Sequence, residues 1–126
     1  MFLNAAGEVL LFLRDDKAHI PYPNRWDTLG GMIEPGETPE ECIVREIREE
    51  IEFEVQTPSL FKVHEGQEGA IYMFWQRAEI DIARTPLHEG QRLKWFSRQE
   101  IERMPTDEFA FGFRELLLEF YDAVTA

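Results

Sequence analysis

Residues 31–53 read GMIEPGETPEECIVREIREEIEF, and this stretch decides the fold. Pro35-Gly36 has the composition of a tight turn. Thr38 then carries several agreeing helix-start signals. It is a good N-cap, Pro39 takes the first helical position, and Glu41 completes a Thr-x-x-Glu capping box. Ile43, Ile47 and Ile51 recur at four-residue spacing with Val44 beside them, so one helix face turns to the core. Glu46, Glu49 and Glu50 share an arc of roughly 100°, beside the isoleucines rather than beneath them. Carboxylates so spaced repel by about a few tenths of a kcal/mol per pair when merely solvated, and a divalent cation reverses that sign.

Outward from the helix, Gly30-Gly31 lets a ligand or a metal approach the chain closely. Glu37 lies eight residues before Arg45, within reach of a charge-assisted pair that would fix the loop against the carboxylates. A solvated face needs no such brace. Val9-Leu10-Leu11-Phe12-Leu13 reads as a buried strand after a turn around Asn4–Gly7. The polar stretch 15–25, with Pro21 and Pro23, is expected as a loop. Trp26 to Glu34 looks like two short extended pieces broken at the glycine pair. Ile71 to Trp75 and Leu93 to Phe96 read as strands, separated by a loop at 85–91. Phe113, Leu116, Leu117, Phe120, Tyr121 and Val124 share one face of a last helix. The order β, β, α, β, β, α predicts a mixed sheet between helices, an α+β or α/β architecture, in a single domain over 1–126.

With 126 residues and 44% hydrophobic content, ten of them Phe, the chain can bury a core of its own. No apolar run approaches the roughly 20 residues of a membrane span, and no signal-peptide pattern opens the sequence. The single Cys makes no internal disulfide, which suits a reducing cytoplasm, the expected location. The net charge of −12 argues against a nucleic-acid polymer as partner, because no basic patch is available to displace counterions. Residues 34–54 hold nine Glu and two Arg, so that one segment supplies −7 of the total. Clusters of this kind are either solvated faces or cation sites, and here the spacing points to a cation.

Gly31, five residues, Glu37, seven residues and then Arg45-Glu46-Ile47-Arg48-Glu49-Glu50 resembles the Nudix box, G-x5-E-x7-R-E-U-x-E-E-x-G-U with U apolar. Phe53 meets the last apolar position, so the match spans 23 residues. Trp26 to Gly31 and Gly7 to Arg14 resemble the strands that precede the box in that family. Two positions depart from it: Glu52 replaces the box glycine, which implies a longer or strained helix end, and Leu29 stands where Pro is frequent.

The resemblance implies a Nudix-type α/β/α sandwich with a loop-helix-loop motif, and hydrolysis of a diphosphate linkage in a small nucleotide-like molecule. It implies Mg²⁺, or Mn²⁺, held by Glu46, Glu49 and Glu50 with the Gly31 carbonyl. MutT-like members add an acidic ligand from a later loop, where Glu89 is the local match. Metal ions would lower the pKa of the attacking water, neutralise diphosphate oxygens and orient the leaving group. Either Glu46 or Glu49 would take the proton, with Glu37 and Arg45 as the brace. Arg14 would meet a phosphate and Phe111 would face a base. The implied substrate is a nucleoside triphosphate of the 8-oxo-dGTP type, with a nucleotide sugar or ADP-ribose as the alternative. A Nudix-fold module that senses a nucleotide without cleaving it is the reading from another class.

The remaining residues have plainer readings. His19, His64 and His88 stand isolated, Cys42 fills space, and Trp26, Phe109 and Phe113 pack the core. Only Met1 to Ala6 precede Gly7, so the first strand is short, and an edge strand missing there would be supplied by a second subunit in a homodimer.

Overall fold

A computed structural model describes residues 1–66 and 69–125. Six strands and three helices follow in the order β1 (Phe2–Leu3), β2 (Val9–Leu13), β3 (Trp26–Asp27), α1 (Pro39–Ile51), β4 (Ser59–Gly66), β5 (Gly69–Arg77), β6 (Arg92–Phe96), α2 (Arg98–Arg103) and α3 (Phe113–Thr125). Short 3₁₀ turns at Thr106–Glu108 and Ala110–Gly112 join the last two helices.

The sheet is organised around β2. It pairs antiparallel with β6 along its whole length, and also with β1 at Val9 and with β3 at Phe12 and Leu13. β1 runs parallel to β5, and β4 completes the ribbon as the antiparallel neighbour of β5. The sheet is therefore mixed, as expected. Its unbroken apolar run in β2 follows from burial on both faces. Val9 and Leu11 pack with Ile101 of α2 and Leu117, Phe120 and Tyr121 of α3. Leu10 and Phe12 alternate to the other face, against Ile47 and Ile51 of α1. The α/β/α sandwich is the direct product of this alternation.

Helix α1 starts as the sequence predicts. The Thr38 hydroxyl accepts from the Glu41 N–H at 3.1 Å, and the Glu41 carboxylate accepts from the Thr38 N–H at 2.9 Å. At its far end Glu52 takes the box glycine's place in the left-handed region, at φ 54° and ψ 35°, with its N–H on the Arg48 carbonyl. The helix thus ends on strain rather than running on.

Three expectations change. Only Trp26–Asp27 is extended and paired in the 26–34 segment, because no strand neighbours residues 28–34. Side chains of the box serve that backbone instead: Glu50 accepts from the Gly30 N–H, Glu37 from the Glu34 N–H, and Arg45 donates to the Met32 carbonyl. The short first strand is no edge either. β1 lies between β2 and β5, so a second subunit is not required to cover it. Finally, β4 and α2 are additional elements. α2 opens on a Ser97/Glu100 capping box, and β4 is the outer half of a long hairpin with β5.

The strained cap gives a testable consequence. Glu52→Gly relieves about 1 kcal/mol of left-handed strain and loses an exposed contact worth less than that. Metal-free Glu52→Gly protein is expected to melt about 1–3 °C higher. A scan in EDTA showing a lower Tm would mean that the side-chain contact outweighs the strain.

Candidate active site

The box loop and α1 are fastened together by Arg45. Its Nε donates to Glu37 Oε2 at 2.7 Å and its Nη2 to Glu37 Oε1 at 3.0 Å, a two-pronged grip. Nη2 also donates to the Met32 carbonyl at 3.1 Å, while Nη1 reaches Glu46 at 2.8 Å and Glu49 at 3.3 Å. The guanidinium holds the Glu37 carboxyl down at about 2, and the Arg45 pKa is itself raised by the same hydrogen bonds. Both groups therefore stay charged at any physiological pH.

Gly31 is required by the approach of Glu46. A Cβ at Gly31 would stand 2.2 Å from the Glu46 carboxyl carbon, so no other residue leaves that carboxylate its place against the loop backbone. The Gly31 carbonyl accepts a long hydrogen bond from the Cys42 thiol at 3.6 Å. Cys42 is buried there as packing, and burial pushes its thiol up to about 11, away from thiolate chemistry.

Glu50 is the buried member of the cluster, 4% exposed, with its Oε1 accepting from the Gly30 N–H at 3.0 Å. Burial pushes its carboxyl up to about 8; the Gly30 bond opposes this, and the charges of Glu46, Glu89 and Asp27 add to it. The charge of Glu89, from the loop between β5 and β6, is thus felt at Glu50. Its neighbour Gly90 has φ +94° and lies so close to Phe12 and the Leu13 carbonyl that a Cβ would collide with both. Glu89 is thereby brought alongside β2.

Asp27 joins this group, and the sequence reading did not single it out. It is buried at the end of β3, accepts from Arg14 Nη1 at 2.9 Å and from the Thr28 N–H at 2.7 Å, and burial raises its pKa against the pull of Arg14. The available signal was its position, a Trp-Asp pair three residues before Gly30. Arg14 is thus committed to Asp27 and to the Pro21 carbonyl, and its guanidinium lies 5.5 Å from the centre of the Phe111 ring. Phe111 packs against Tyr22 with ring centres 4.6 Å apart and the rings tilted by 54°. Both aromatics are 47% exposed and both hold left-handed backbone, at φ 55° and 50°. Phe109, Phe113 and Trp26 are core residues. His88 is not isolated: its ring meets Glu52 at 2.6 Å.

These donors are oxygen atoms throughout, the chemistry that hard divalent cations prefer. Among the described residues, no three acidic, His or Cys side chains converge into a finished cage, because Glu46 and Glu49 are turned to Arg45. The set fits a cation that keeps part of its water shell and takes further oxygens from a substrate, rather than a closed structural site.

The NUDIX domain model matches residues 1–119. The NAD-capped RNA hydrolase NudC of Stutzerimonas stutzeri (strain A1501) is 38% identical over 118 residues, covering 91% of this chain and 40% of that protein. This chain therefore spans well under half the length of that relative. The 8-oxo-dGTP diphosphatase of Escherichia coli (strain K12) is 41% identical over 96 residues, covering 75% of this chain and 73% of that protein. In fold, the NUDIX domain of Shewanella oneidensis NrtR, crystallised with ADP ribose, aligns at a TM-score of 0.74 and 16% identity, over 99% of this chain and 84% of that one. A family model spanning nearly the whole chain, and a bacterial relative matched over three quarters of it, place this chain in the NUDIX domain family of hydrolases.

Proposed function

We propose that this chain hydrolyses a diphosphate linkage in a small nucleotide derivative, using a divalent cation, Mg²⁺ or Mn²⁺. The observation that carries the reading is Glu50, a carboxyl 4% exposed that burial drives up to about 8, with the charges of Glu46, Glu89 and Asp27 adding to the shift. A fold keeps such a destabilising group where a ligand removes the penalty.

Glu46, Glu49 and Glu50, the Gly31 carbonyl and Glu89 are the residues that would hold the cation. When bound, it supplies charge neutralisation for diphosphate oxygens and acidifies water at neutral pH. The protein does the rest. Glu46 or Glu49 receives the proton of the attacking water, since Glu49 is exposed, Glu46 is half-buried, and neither is buried like Glu50. Arg45 and Glu37 keep the loop and the helix in register while that proton moves. The Tyr22–Phe111 pair offers a ring face for a base, with Arg14 behind it.

A nucleoside triphosphate of the 8-oxo-dGTP type is the first substrate choice, supported by the likeness to the E. coli diphosphatase. A nucleotide sugar or ADP-ribose is the second, favoured by the ADP ribose held in the Shewanella domain. A sensing module without turnover is the weaker reading, because a pure binder has no need of so costly a carboxylate cluster. Screening nucleotides with Mg²⁺, reading phosphate release with and without an added phosphatase, separates all three. A diphosphatase releases pyrophosphate or a monophosphate ester, and a sensor releases nothing.

Activity is expected to vanish in excess EDTA and to return with Mg²⁺ or Mn²⁺. Full turnover in EDTA would overturn the cation's role.

Glu50→Gln keeps the size of the side chain and an acceptor for Gly30, and is expected to lower turnover at least roughly 100-fold. Without metal the same change should not destabilise. The native Glu50 carboxyl holds its proton up to about 8, whereas its ordinary value is 4.5. Its contribution to metal-free stability is full below that ordinary value and is lost as the pH rises to about 8. Urea titrations in EDTA at pH 5 and 8 should show this loss in the parent and not in the variant.

Residues 106–113 include Phe109 and Phe111 but no Asn or Gln to read a base edge. Stacking tolerates any base, whereas hydrogen-bonded discrimination requires placed partners. The kcat/KM values for the preferred and next-best bases are expected to differ by less than about 100-fold. Phe111→Ala should lower all of them together, and a preference above about 10⁴-fold would reveal a dedicated polar reader.

A further inference from the structure

The family's glycine after the Glu-Glu pair is Glu52 in this chain, and its side chain has a specific partner. The left-handed turn at Glu52 leaves its carboxylate 2.6 Å from His88 Nε2. With a carboxylate oxygen as the acceptor, Nε2 is assigned the donor role in this hydrogen bond. His88 holds α1 a second time through its backbone, whose N–H donates to the Glu50 carbonyl at 2.9 Å. One residue of the loop thus grips the last turn of α1 at two points, one of them the main chain of the buried carboxylate residue itself.

The other end of the loop is fixed to the sheet. The Gln91 N–H donates to the Leu13 carbonyl at 2.8 Å, and its side-chain amide donates to the Arg14 carbonyl at 2.8 Å and to Asn24 Oδ1 at 2.9 Å. Only Glu89 and Gly90 lie between the two anchors, and Gly90 is pressed against Phe12 and Leu13. The position of Glu89 is therefore set by His88 on one side and Gln91 on the other.

The Glu52–His88 contact does little for stability on its own. Both side chains are more than half exposed, and exposed ion pairs contribute little. A non-glycine residue in the left-handed region carries strain, and such strain persists where function requires it. We propose that Glu52 and His88 form a clasp that positions Glu89 for the divalent cation beside Glu50. Both are positioning residues, and neither is a ligand. The inference rests on the reading of Glu89 as part of the cation site.

The test is Mn²⁺ binding to substrate-free protein, followed by the electron paramagnetic resonance of free Mn²⁺, for Glu52→Gly, Glu52→Gln, His88→Ala, the Glu52→Gly/His88→Ala double variant and Glu89→Ala. Loss of an outer contact that orients a ligand weakens metal binding about 10-fold or more. Glu52→Gly and His88→Ala are each expected to raise the Mn²⁺ dissociation constant about 10-fold, and the double variant by no more than either alone, since they break one contact. Glu52→Gln, whose amide oxygen still accepts from Nε2, should stay close to the parent. The KM for Mg²⁺ should rise while kcat at saturating Mg²⁺ holds. Glu52→Gly should bind more weakly while melting no lower than the parent, a divergence that a purely structural role does not produce. If Glu89→Ala weakens Mn²⁺ binding while Glu52→Gly and His88→Ala leave it unchanged, the clasp is refuted and the cation site stands. Additive losses in the double variant also refute it. If Glu89→Ala itself leaves the affinity unchanged, Glu89 is no ligand and the clasp falls with it.

Discussion

The guanidinium of Arg45 donates to Glu37, Glu46, Glu49 and the Met32 carbonyl at once, and the carboxylate site depends on that single fork. Without it, three carboxylates within one and a half turns of helix repel one another, and the loop 28–34 loses its tie from Met32 to the helix. A lysine would supply one charge at a point, where arginine supplies five donors in a plane. Arg45 thereby does two jobs that are usually separate, lowering the repulsion within α1 and setting the distance between the loop and the helix. The grip on Glu37 is two-pronged and the contacts to Glu46 and Glu49 are single, so the loop is held more firmly than either of those carboxylates.

In the proposed function, a chain of net charge −12 acts on an anionic diphosphate and must change the sign of its own field at the site. Asp27, Glu46, Glu50 and Glu89 bring acidic groups together, and Arg14 and Arg45 answer only part of the charge they carry when ionised. Bound divalent cations are the largest local charges in such sites and invert their electrostatics. The protein's contribution is a place where that inversion is favourable, prepared by burial of Glu50 and by the glycine that lets Glu46 come close to the loop.

Most of the sandwich was legible because its signals are local. The Thr38 capping box, the isoleucine stripe and the run at 9–13 each follow from residues within a few positions of one another, and each element stands where the sequence puts it. β4 escaped because its partner β5 carries the clearer pattern, and most of the described residues of β4 are exposed, which blurs its alternation. α2 is six residues long, too short for a periodicity to show, although Ser97 and Glu100 announce its start. At the site, the spacing of the box brings Glu37, Arg45, Glu46, Glu49 and Glu50 into view because helix geometry converts spacing into direction. Asp27 and His88 were out of reach for the converse reason. Asp27 takes its charge partner from Arg14, 13 residues away just past the neighbouring strand, and His88 meets Glu52 across 36 residues, so only the folded chain brings each pair together.

The backbone of residues 28–34 is held by side chains of the box, not by a neighbouring strand. Ladder hydrogen bonds form wherever two chains lie side by side, but a bond to Glu50 or Arg45 exists only after α1 has coiled and docked. The order of assembly is therefore constrained: the loop acquires its shape after the helix, and loses it whenever the helix end frays. Opening of this segment is tied to opening of α1, so the two belong to one cooperative unit in hydrogen exchange although one has regular structure and the other has none.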